Sequence, residues 1–149
     1  MNPAISILPN ACCVAHLCCV NSIHHIKFDE MEKINLVEKF SLFKEQWSPK
    51  IVGELNGQMI KLVKFQGPFV WHHHDHEDEL FYVVEGSFDM EFENETITIN
   101  KGEFIIVPRG LEHRPNAKEE CEVMLFEPGT TLNTGNVENE RTLKKLQYL

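Results

Sequence analysis

Basic side chains are scarce in this chain: 14 lysines and arginines stand against 23 aspartates and glutamates, a formal charge of −9. A nucleic-acid surface needs a basic patch or stripe, so a nucleic-acid partner is excluded. No apolar run approaches the roughly 20 residues that cross a bilayer as a helix, which argues against a membrane partner. The chain also lacks the G-x-x-x-x-G-K-[ST] phosphate loop, the G-x-S-x-G nucleophile elbow and any internal repeat. Cysteine is nearly missing after residue 30, where only Cys121 remains, most simply a small buried apolar residue.

Residues 1–30 differ from the rest, holding Cys12, Cys13, Cys18 and Cys19 but one basic and two acidic residues. The apolar stretch Ala4 to Val20 lacks the positive start of a secretory signal and is interrupted by Pro9, Asn10 and His16. The paired cysteines, with His24 and His25, do not have the C-x2-C spacing usual in zinc sites. Nothing indicates export, so a disulfide framework is not expected and the expected compartment is the cytoplasm. Met31 opens a stretch of ordinary globular composition. Residues 1–30 therefore read as a disordered upstream extension, and residues 31–149 as one domain long enough to bury a core.

Within that domain the pattern is of short strands and frequent turns. Leu36, Phe40 and Phe43 share one face of a short helix that ends before Trp47 and Ser48-Pro49. Lys50 to Leu55 and Gln58 to Gln66 read as a hairpin about Asn56-Gly57. In the second strand Ile60 and Leu62 take one face, and Met59, Lys61, Val63 and Phe65 the other. Phe69 to His74, Glu79 to Glu85, Ser87 to Glu93, Thr96 to Asn100, Glu103 to Val107 and Cys121 to Phe126 read as further strands. Phe88, Met90 and Phe92, like Ile97 and Ile99, are expected to face inward. Leu143 and Leu146 suggest a short C-terminal helix. Turns every eight to twelve residues indicate an all-β sandwich or barrel.

The chemistry concentrates in WHHHDHEDELFYVVEG, Trp71 to Gly86, with four histidines at His72, His73, His74 and His76 and a carboxylate at Glu79. On a strand His72 and His74 share a face, starting roughly 7 Å apart, and both can lean toward one ion. Trp71 and His73 point the other way. Imidazole with carboxylate suits divalent transition metals; the bland alternative is a solvated, histidine-rich loop. A second signal lies well downstream. The apolar run Phe104 to Val107 ends in Pro108-Arg109-Gly110, a turn that returns His113 to a strand face. These two stretches hold all five histidines beyond residue 30.

The two segments resemble the signature motifs of the cupin superfamily. The first family motif is His-x-His, three or four residues, Glu, six residues, Gly; here it is His72, His74, Glu79 and Gly86. The second is Gly, five residues, Pro-x-Gly, two residues, His, three residues, Asn; here it is Gly102, Pro108, Gly110 and His113. Gly67 falls one residue nearer the first histidine than the pattern asks, and Asn116 comes one residue early. The resemblance is to small, single-domain, phosphomannose-isomerase-like cupins. It covers the chain from Met31 on, with a motif core over residues 58–128. It implies an all-β double-stranded β-helix, the jelly-roll cupin barrel, with short flanking helices.

The resemblance also implies the metal ligands: His72, His74, Glu79 and His113. Three neutral imidazoles and one carboxylate leave a divalent ion near a net charge of +1, with open positions if it is six-coordinate. Iron, manganese, nickel and zinc all tolerate such ligands. A His74-x-His76 pair would leave only two residues before Glu79, which places His76 at the rim; His73 should face away. Arg109 and Arg114 are the basic residues near the second motif and could grip an anion, although Glu77, Asp78 and Glu112 would oppose one. Two function classes follow. One is a metal-dependent enzyme on a small oxygen-bearing molecule, isomerase-like or dioxygenase-like; the other is a non-catalytic sensor or storage cupin. The resemblance further implies a homodimer, formed through the Lys50 to Gln66 hairpin.

Overall fold

The structure is a computed structural model and describes residues 31–149. The extension read over residues 1–30 lies outside the described residues, and its cysteine cluster with it. Asn35 starts the only helix among the described residues, α1 (Leu36–Phe40), its side-chain oxygen accepting from the N–H groups of Val37 and Glu38. The hairpin forms where it was expected. β1 (Lys50–Leu55) and β2 (Gln58–Pro68) flank Asn56 and Gly57, whose φ values of 53° and 80° are what a two-residue type I′ turn demands. There follow β3 (Glu79–Glu85), β4 (Ser87–Glu91), β5 (Thr96–Asn100), β6 (Phe104–Val107), β7 (Arg114–Pro128) and β8 (Gln147–Tyr148).

The spine is β7, fifteen residues long where the sequence suggested a strand of six. It runs antiparallel to β2, pairs with β4 through Arg114–Asn116 and pairs with β3 through Glu122–Phe126. Its odd-numbered residues Ala117, Cys121, Val123 and Leu125 join Val63, Phe65, Phe81, Val83, Phe88, Met90, Ile99 and Val107 in the main core. Burying each large apolar side chain there contributes about 1.5–3 kcal/mol. The opposite face of β2 is also covered. Leu62 packs with Val52, with Phe40 at the end of α1 and with Phe43 just beyond it, so β2 is buried on both sides.

The all-β expectation therefore holds, with three corrections. The sheet is not closed into a barrel: β5, β6 and β8 each have a single strand neighbour. At four residues for β6 and two for β8, these edge strands are too short to complete a ring. Second, Leu143 and Leu146 lie on no helix. Asn133 bonds the Leu143 N–H and the Arg141 carbonyl, and Asn139 bonds the Arg141 N–H, so side chains capture the backbone groups that a helix needs. The chain instead ends as β8, parallel to β1. Third, Ile97 on edge strand β5 is 40% exposed, while Ile99 is buried.

Candidate metal centre

The segment Phe69 to His74, expected as a strand, is extended but pairs irregularly. After the positive φ of Gly67 and the missing N–H of Pro68, regular pairing to β2's neighbours stops. The backbone groups are nevertheless satisfied in alternation. His72 exchanges both of its bonds with His113, at 3.1 and 2.9 Å, as an isolated antiparallel bridge. His73, facing the other side, receives the Asn136 N–H on its carbonyl and donates its own N–H to the Asn136 side chain. The His74 carbonyl accepts from Gly110. The two-residue alternation thus survives without a ladder: His72 and His74 are buried, and His73 points outward to Glu112 and Asp75 at 2.8 and 3.2 Å.

His72 and His74 come together with Glu79, the first residue of β3, and with His113, brought round by the Pro108–Gly110 turn. Each of the four offers one donor atom, and those atoms lie within 4.8 Å of one another. All four side chains are at least 95% buried. The His72 and His113 rings place Nδ1 against the carbonyls of Val70 and Leu111 at 3.0 and 2.8 Å. Donation there fixes the tautomer and leaves Nε2 as the free lone pair. His74 Nε2 and His113 Nε2 stand 3.2 and 3.7 Å from Glu79 Oε2, and none of these three buried atoms has a hydrogen-bond partner. Orphaned buried polar atoms are costly, and three aimed at one point are what a cation would satisfy. The donor set therefore fits a divalent metal.

The electrostatics agree with that fit. Burial, and then the proximity of His113, hold the His72 imidazole down at about 4, so it is neutral and available as a ligand at ordinary pH. Burial opposes the charge on Glu79, but the closeness of His113 and His74 more than offsets it, and the carboxyl stays well below its usual range. The other histidine and arginine candidates lie elsewhere. His76 is exposed, its carbonyl facing Arg109. Arg109 pairs with Asp78 at 3.3 Å; Arg114 is tied to Glu91 and lies over the Trp71 ring.

Sequence reasoning missed three features. Lys61 and Glu127 form an ion pair of 2.7 Å with both side chains almost wholly buried. Trp47, read only as the end of a helix, stacks on Phe65 and Phe69 at 4.4 and 4.8 Å and donates its indole N–H to Gln66. Together with Val63, Phe81, Leu125, Pro49 and Pro115 they wall a narrow cleft, with about 30 Å³ of free interior, that reaches His72 and Glu79. Asn133 is the one other polar side chain on that wall, and no lysine or arginine is there. Gly135 is the third: it packs directly on the His73 carbonyl.

An all-β fold carrying buried histidines and a carboxylate on neighbouring extended segments defines the class, and comparison with known proteins identifies the family. The cupin-domain family model matches residues 61–129. A cupin-2 domain protein from Shewanella frigidimarina is 48% identical and superposes with a TM-score of 0.63, over 64% of this chain and 93% of its own. Protein NMB1881 from Neisseria meningitidis is 34% identical with a TM-score of 0.61, over 66% of this chain and 100% of its own. YdbB of Bacillus subtilis is 33% identical over 81 residues, 54% of this chain and 72% of its own. The chain belongs to the cupin superfamily.

Proposed function

We propose that His72, His74, Glu79 and His113 hold a divalent transition metal, one of iron, manganese, nickel or zinc, and that the loaded protein is an enzyme acting on a small oxygen-bearing molecule. The observation that carries this reading is the set of three buried, unpartnered atoms, His74 Nε2, Glu79 Oε2 and His113 Nε2, converging within one ion's reach. A metal bound there would supply Lewis acidity or a redox centre for an oxygen-bearing substrate. The chain's own residues do the rest. Val70 and Leu111 carbonyls orient two imidazoles, and the apolar walls of the cleft keep water out.

Between isomerase-like and oxygen-using chemistry, the cleft wall favours the second. A phosphorylated sugar would bring charge against Trp47, Phe65, Phe69 and Phe81, with no lysine or arginine on the wall to meet it. Arg109 and Arg114 are already paired with carboxylates. We also propose that the protein works in the cytoplasm as a homodimer; among the described residues no helix is long and apolar enough to cross a membrane. The hairpin is a poor dimer surface, because β8 covers the outer edge of β1 at Lys50 and Ile51. Edge strand β6 suits the role better, with Phe104 and Ile106 at 61% and 54% exposure.

The test is metal analysis of untagged protein, followed by oxygen uptake with neutral oxygen-bearing compounds and isomerisation assays with sugar phosphates. His74→Ala and His113→Ala should each abolish stoichiometric metal while His73→Ala keeps it. Metal retained in His113→Ala would sink the assignment. Metal binding without any turnover would favour the sensor or storage reading.

A further inference from the structure

Two ionisable side chains are buried beside the candidate centre without belonging to it. Lys61 on β2 and Glu127 on β7 are each 1% exposed, and Lys61 Nζ donates to Glu127 Oε1 at 2.7 Å. The second oxygen, Glu127 Oε2, is buried with no hydrogen-bond partner. The strand register says what it lies beside. β3 and β7 pair as far as Leu80 opposite Phe126, and one further step in that register would set Glu79 opposite Glu127. β2 and β7 set Met59 opposite Glu127 and Lys61 opposite Leu125, so Lys61 is Glu127's diagonal neighbour. Glu79, Glu127 and Lys61 thus come from three adjacent strands at one level of the interior.

Such an arrangement is costly unless something uses it. Two carboxylates directly opposed across a strand pair repel, and taking charges out of water costs several kcal/mol per ion even when they are paired. Apolar residues of similar volume usually replace a buried ion pair without loss of stability, so packing alone does not require Lys61 and Glu127. The one group that does is Glu79. A carboxylate meant for a metal needs one orientation, and ligands are held by the polar groups behind them. We infer that Lys61 and Glu127 are positioning residues for Glu79. Lys61 draws Glu127 toward β2 and keeps that second carboxyl group out of the centre. The pair thereby holds the Glu79 carboxylate between His74 and His113. The inference rests on the proposal that His72, His74, Glu79 and His113 hold a metal.

The experiment uses the full chain and cobalt(II), followed by its visible absorption and by competition with a chelator. In Lys61→Met/Glu127→Met the metal-free protein should melt at or above the wild-type temperature, while cobalt affinity falls about 10–100-fold and the absorption bands shift. Glu127→Gln keeps the shape but weakens the Lys61 hold on that side chain, and it should weaken cobalt binding at least tenfold. It serves if the double variant does not fold. A folded variant of either kind with wild-type cobalt affinity and spectrum overturns the inference and leaves the four-ligand reading standing. Failure of the wild type itself to bind cobalt overturns both.

Discussion

Gly135 gives the sharpest test of how the proposed ligands are held. Its φ is +52°, and a methyl built on it would lie 2.1 Å from the His73 carbonyl oxygen, 2.9 Å from the carbonyl carbon and 3.3 Å from His72 Cδ2. Ordinary contact starts at 3.4 Å, so Gly135→Ala requires the His73 peptide and the Gly135 loop to separate by about 1 Å. That peptide joins His72 to His74, and its two hydrogen bonds to Asn136 would stretch with it. Overpacking of this kind costs about 1–3 kcal/mol, which in a domain of this size is a fall in melting temperature of about 4–12 °C. Metal affinity should drop more than tenfold, because both imidazoles shift. Gly57→Ala is the control: its φ is also positive, at +80°, but nothing lies within 4 Å of the added methyl. It carries the backbone strain without the collision. Melting in chelator and metal competition would be measured on both variants. Equal melting temperatures and equal affinities would refute the claim that this loop braces the ligands.

Further outcomes can be checked on the same material. Burial keeps the folded His72 at about 4, below the roughly 6.5 of an unfolded histidine. The unfolded chain therefore binds the extra proton first, and His72's contribution is complete above about pH 6.5 and is lost as pH falls toward 4. Denaturant titrations of metal-free protein should lose about 3 kcal/mol from this group across that window; an unchanged midpoint would contradict its burial as a neutral ring. Metal should raise the melting point by mass action, adding about 2.7 kcal/mol of stability at a concentration one hundred times Kd. Phe104→Ser with Ile106→Ser should convert a dimer to a monomer in sedimentation velocity without lowering metal content. A wild type that sediments only as a monomer at micromolar concentration would remove the dimer proposal.

Much of the site was legible because it is written locally. His72 and His74 are two apart and stay on one side even though the ladder expected between Phe69 and His74 shrinks to one bridge. Backbone alternation needs only an extended chain. The Pro108–Gly110 turn likewise announces the return of His113. What escaped was set by distant partners. Whether β5 and β6 find second neighbours depends on how the sheets curl, so barrel closure could not be read from any segment. The C-terminal leucine spacing lost to Asn133 and Asn139, whose bonds reach eight to ten residues along the chain or act within a tight turn. Trp47 and Gly135 matter only because remote loops press them against the ligand segment.

Lys61 and Glu127 fall between these cases. The alternation of β2 had already put Lys61 on the face of Val63 and Phe65, the inward face. A strand taken to end at Phe126 hid the matching fact, since one more step in phase with Cys121, Val123 and Leu125 turns Glu127 inward as well. A single charge on an inward phase is usually a sign that the strand has been misread or that its head group reaches water. Two of opposite sign, on strands that pair, are a different signal. Each removes the other's reason to leave the interior, and the third strand in the row then supplies the residue they serve. Here that residue is Glu79, and the step of register that would place Glu127 beside it puts the pair behind a proposed metal ligand rather than elsewhere in the core.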